Sequence, residues 1–85
     1  MKEFKYVITD EIGIHARPAG MIASTAKKFN SNITLKFGEK ETKATKLMAI
    51  MKLSVKQNDT IIVTFDGEDE EEAYMAVSKI IKEIL

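Results

Sequence analysis

The chain has no cysteine, which excludes disulfides, thiolate zinc sites and cysteine nucleophiles outright. It has a single histidine, so a multi-histidine metal centre is impossible, and neither a metal nor a cofactor is expected. Net charge is missing as well: 13 basic residues balance 13 acidic ones. That leaves no global field to draw the chain to nucleic acid or to an anionic membrane. No run approaches the roughly twenty apolar residues of a membrane span, and Met1-Lys2-Glu3-Phe4-Lys5 carries charges where a signal peptide needs an apolar stretch. The expected location is the cytoplasm. Residues 1–85 leave no room for a second domain, yet nearly half of them are apolar, enough for one small core without cross-links. A monomer is expected.

The scarce residues are concentrated. The only histidine, the only arginine and the only proline fall within four consecutive positions of Gly13-Ile14-His15-Ala16-Arg17-Pro18. Imidazole titrates near neutrality and is a nitrogen nucleophile, while guanidinium is a planar fork that matches a phosphate. Nothing else in the chain offers comparable chemistry.

Periodicity supplies the elements around this cluster. Phe4, Tyr6 and Ile8 alternate with Lys5, Val7 and Thr9, as in a strand with one buried face. Ala19, Ile22, Ala23, Ala26 and Phe29 recur at helical steps, which predicts a helix from Ala16 to about Phe29. Ile33, Leu35 and Phe37 form a second strand, Gly38-Glu39 a hairpin turn, and Lys40 to Ala44 a short, charged edge strand. Leu47 to Leu53 is too apolar all round for an ordinary solvated helix. Thr60 to Phe65 alternates again, and a last helix starting at Asp69 buries Ala73, Val77, Ile80, Ile81 and Ile84, with Asp69 and Glu72 spaced as a capping box. The order β-α-β-β-α-β-α predicts an α+β fold, an open-faced β-sandwich with a four-stranded, mainly antiparallel sheet and three helices on one face.

A helix starting at Ala16 puts His15 at the N-cap and Pro18 in the first turn, where its missing N–H removes no intrahelical bond. The free amides of Ala16 and Arg17, with the positive end of the helix dipole, then make an anion site. Arg17 and the amides would stabilise the charge of a transferring phosphoryl group. A capping histidine beside a surface arginine is the plain structural alternative, although Ser, Thr, Asp or Asn would cap better.

Ile12-Gly13-Ile14-His15-Ala16-Arg17-Pro18-Ala19 resembles the active-site signature of HPr, the histidine-containing phosphocarrier family of the bacterial phosphoenolpyruvate-dependent sugar phosphotransferase system. The likeness extends over the whole chain. Its length, its element order, the Leu47-Met48-Ala49-Ile50-Met51 segment and the Asp66-Gly67-Glu68-Asp69-Glu70 lead into the last helix all fit that family. The resemblance implies that His15 accepts a phosphoryl group from Enzyme I, on Nδ1, and passes it to an Enzyme IIA domain for sugar uptake. The chain would then be a stoichiometric carrier rather than an enzyme, with Arg17 neutralising the phosphate. One patch would serve donor and acceptor alike, with Ile14, Gly20, Met21, Ser24 and Lys27 on one side and Leu47, Met48 and Met51 on the other. Flexible thioethers suit a surface that must fit unlike partners. Leu47 and Ile50 read equally well as core.

One position departs from the family. Gram-positive members carry a regulatory serine just before the second helix, the target of HPr kinase/phosphorylase, and Lys46 stands there. Lysine cannot accept that phosphate, so this regulation is not expected. Its permanent positive charge favours acidic partner surfaces instead, as would Lys27, Lys28 and Lys52 around the apolar centre, although each lysine alone reads equally well as part of a solvated face. Thr45 reads as a helix cap, with a displaced phosphoacceptor as the alternative. Glu68 to Glu72 is explained by the dipole of the helix it opens, and Tyr6 and Tyr74 read as packing residues. Two other functions stay open: a binding-only regulatory module on the same fold, and a carrier in a parallel relay for nitrogen regulation or dihydroxyacetone phosphorylation.

Overall fold

The structure is a computed structural model that describes residues 1–85. Four strands and three helices follow in the expected order: β1 Lys2–Val7, α1 Ala16–Ala26, β2 Asn32–Phe37, β3 Lys40–Lys43, α2 Leu47–Lys52, β4 Thr60–Asp66 and α3 Glu70–Ile84. The sheet has the order β1-β4-β2-β3, and every neighbouring pair is antiparallel. The strand made last in sequence is thus central.

Register explains why one face is buried. Phe4 pairs with Val63 and Val63 with Leu35, while Phe65 pairs with Ile33, so apolar side chains line up in rows across three strands. The intervening positions, Lys5, Val7, Thr34, Ile62 and Thr64, are exposed or half-buried on the other face. The covered face meets Ala19, Ile22, Ala23 and Ala26 of α1, Ile50 of α2, and Ala73, Val77 and Ile81 of α3 in one core. Removing each large aliphatic side chain from water contributes roughly 1.5–3 kcal/mol. Tyr6 and Tyr74 pack against this core, with Tyr74 edge-on to Phe4 at 6.1 Å and to Phe65 at 5.5 Å between ring centroids.

Three local expectations are corrected. Helix α1 ends at Ala26, with Lys27 as its C-cap, and Phe29 packs half-buried on the core from the turn beyond it. Asp69 is the N-cap of α3 but caps nothing with its side chain, because φ −106° and ψ 27° turn it away from the helix. Its carboxylate instead accepts from the Asn30 amide at 2.8 Å, from the Ser31 amide at 2.9 Å and from the Ser31 hydroxyl. Glu70, not Glu72, reaches back, accepting from the Gly67 amide at 3.1 Å. The same α1–β2 and β4–α3 turns touch at Gly67, where an added Cβ would lie 2.7 Å from the Ser31 Cα. Thr45 does not cap α2: Lys46 is its N-cap, and no side chain bonds to that helix end.

Candidate functional site

The loop from Asp10 to Gly13 is a turn held by its own first residue. The Asp10 carboxylate accepts from the Ile12 amide at 2.8 Å, and the Asp10 carbonyl accepts from the Gly13 amide at 3.1 Å. Upstream, the Thr9 and Asp10 amides and the Thr9 hydroxyl all donate to the Leu85 main-chain oxygen. Gly13 has φ +83°, and an added Cβ would sit 2.4 Å from the Val55 carbonyl oxygen, so only glycine lets the backbone pass this close. Ile14 then donates its amide to the same Val55 oxygen at 3.0 Å.

This packing corrects one site expectation. Ile14 was expected on the partner surface, and it is buried in the core, 6% exposed. Its side chain anchors the residue that follows. His15 is half-buried and extended at φ −116° and ψ −170°, and it makes no side-chain cap bond to α1. The imidazole is therefore not used up by the helix.

Beyond His15 the first intrahelical donor is the Ala19 amide, which bonds the His15 carbonyl at 3.0 Å. Pro18 is buried and has no N–H, and the amides of Ala16 and Arg17 have no preceding helical turn to supply acceptors. No acidic residue lies in the first turn of α1 to compete for them. Arg17 is exposed, and none of the three ion pairs of the chain involves it. His15 and Arg17 line one pocket of about 290 Å³ together with Asp10, Pro18, Met21 and Ile84. A shallower depression of about 390 Å³ continues from Arg17 along α1, past Ala16, Gly20, Met21 and Ser24 to Thr25 and Ile80.

The remaining candidates lie on the adjoining α1 and α2 surface. Ser24 and Lys27 are exposed, and Gly20 and Met21 are half-buried. Gly20 faces α2, where an added Cβ would be 4.0 Å from the Leu47 Cδ1. Leu47 is 38% and Met48 64% exposed, Met51 is half-buried, and Ile50 alone of this helix is fully buried. Leu47 is thus surface rather than core. Lys46 is exposed at the start of α2.

Asp10 and Ile84 belong to the pocket, and neither was singled out from the sequence. The Asp-x-x-Gly spacing marks Asp10 as a turn former but not as a neighbour of Arg17. Ile84 joins the core stripe of α3 by its spacing, and only the docking of that helix brings it to His15.

The family profile described as PTS HPr component phosphorylation site matches residues 2–83. The chain belongs to the HPr family. It is 38% identical over 79 residues to the phosphocarrier protein HPr of Mycoplasma capricolum, covering 93% of this chain and 89% of the relative. To HPr of Mycoplasma genitalium it is 44% identical over 78 residues, or 91% and 89% of the two chains. A solved mycoplasma histidine-containing phosphocarrier protein superposes with a TM-score of 0.94 at 35% identity, covering 96% of this chain and 93% of the other. The chain is accordingly a phosphocarrier of the phosphotransferase system, with the open-faced α+β fold of its relatives. No helix in it is long and apolar enough to cross a membrane.

Proposed function

We propose that His15 takes a phosphoryl group from Enzyme I and passes it to an Enzyme IIA domain in sugar uptake, in the cytoplasm, as a stoichiometric carrier. Residues 1–85 act as one domain and one copy. In the first step the lone pair of an imidazole nitrogen attacks phosphorus as the bond between phosphorus and the donor breaks, its electron pair staying with the donor. In the second the P–N bond breaks, its electron pair returns to the imidazole, and the acceptor takes the phosphoryl group. Arg17 and the amides of Ala16 and Arg17 hold the three non-bridging oxygens, which carry the charge of a loose transition state. No general acid or base is required.

The observation that carries this reading is an unbonded, half-buried imidazole at the start of α1, sharing a pocket with an unpaired guanidinium. Gly20, Met21, Ser24, Lys27, Leu47, Met48 and Met51 form the partner surface beside it. Lys46 takes no phosphate from HPr kinase/phosphorylase and ATP.

The test is incubation with phosphoenolpyruvate, magnesium and Enzyme I, followed by an added Enzyme IIA domain. Phosphate that is acid-labile, base-stable, absent in His15→Ala and passed to the IIA domain is expected. No labelling, under conditions that label another HPr, would overturn the proposal.

A further inference from the structure

An anion pocket would be expected to contain no negative charge, yet Asp10 lines the one that holds His15 and Arg17. Its carboxylate is held by its own turn. One oxygen accepts the Ile12 amide, and the Asp10 main chain is tied at both ends, to the Leu85 oxygen at 2.8 Å and to the Gly13 amide at 3.1 Å. No lysine or arginine neutralises it, since none of the three ion pairs includes Asp10.

We infer that Asp10 sets how tightly the pocket holds a phosphoryl group, destabilising the phosphorylated His15 so that the group leaves readily. The inference rests on the carrier reading above. A carrier needs a P–N bond that forms and also transfers, and a pocket of purely positive groups would favour only the loaded state. A fixed carboxylate opposes the two negative charges of the phosphoryl group. It takes no part in bond making: the imidazole nitrogen forms and later releases the bond to phosphorus, and Asp10 exchanges neither electrons nor a proton. For one unit of charge at the rim of a partly solvated pocket, the effect is about threefold to tenfold.

Asp10→Asn separates this role from a structural one, because the amide oxygen still accepts from Ile12 while the charge is gone. Inorganic phosphate is titrated into the unmodified chain, with the backbone amide signals of Ala16 and Arg17 as the readout, and the lifetime of the phosphorylated form is followed separately. Asp10→Asn is expected to bind phosphate about threefold to tenfold more tightly and to hold its phosphohistidine longer against the IIA domain. Glu11→Gln, which removes an exposed charge next to Asp10 but outside the pocket, should change neither. Phosphate affinity in Asp10→Asn equal to or weaker than that of the unsubstituted chain would overturn the inference. Tighter phosphate binding in a chain that Enzyme I does not label would overturn the carrier reading and leave the charge effect standing.

Discussion

Asp69 holds Ser31 twice, through its amide and through its hydroxyl, although the two residues are 38 positions apart. The bonds clamp the turn that starts β2 to the turn that starts α3. The Ser31 hydroxyl and then the Asn30 amide hold the Asp69 carboxyl below the usual aspartate range, since both favour the charged form.

The stability of the clamp follows from that shift. Because the folded pKa lies below the unfolded one, the contribution is complete above the unfolded value of about 3.9 and is lost as pH falls through the lower folded value. Urea midpoints measured from pH 2 to 6 should therefore decline on the acid side. In Asp69→Ala the midpoint should be lower at pH 6 and the acid decline shallower. An unchanged acid limb in the variant would assign the loss to other carboxylates.

Gly13→Ala should be among the more damaging single-atom changes in this chain. The residue must hold φ +83°, and an added Cβ would overlap the Val55 carbonyl oxygen. Backbone strain and a forced shift together should cost about 2 kcal/mol or more. Chemical denaturation gives the loss directly, and slower labelling of His15 in the folded fraction would show that the displaced loop carries the imidazole with it.

Arg17→Ala should leave the fold intact, because the side chain is exposed and unpaired. Transfer from Enzyme I should slow about a hundredfold or more, the scale of losing one preorganised donor to transition-state charge. Rapid-quench labelling measures this. Equal rates would remove Arg17 from the mechanism and leave the amides as the phosphate site.

Met48→Asp tests the partner surface without touching the core. The side chain is 64% exposed, so stability should change by less than about 0.5 kcal/mol. A carboxylate in the apolar centre should weaken docking, seen as a raised KM for the carrier in the Enzyme I reaction. Phosphate binding at Ala16 and Arg17 should not move.

The element order and the helix start at Ala16 were legible because alternation, helical spacing and the Pro18 signal all act over short range. Where the reading failed, a distant partner had intervened. Asp69 carries the sequence of a capping residue, but Asn30 and Ser31 compete for its carboxylate, and nothing near it in the chain announces them. Ile14 sits between residues of the site and reads as surface, yet the backbone of Val55 draws it inward. Phe29 keeps helical spacing with Ala26 although the helix has ended, since a turn can deliver the ring to the same core. His15 and Arg17 line one pocket, as their two-residue spacing at a helix start suggests. Their neighbour Asp10 was not legible, because a pocket is a property of the folded chain.

The central place of β4 has a consequence for how the protein is made. Strands β1 and β2 never touch as neighbours, and both wait for residues 60–66 to fill the gap between them. The loop before His15 likewise waits for Val55 and Leu85. Such distant pairings carry a loop-closure cost before they give anything back, which slows folding. On the ribosome, a chain cut short before β4 would present the histidine as a solvated side chain on an unpaired segment. The capacity to carry phosphate should therefore arise late and all at once during synthesis.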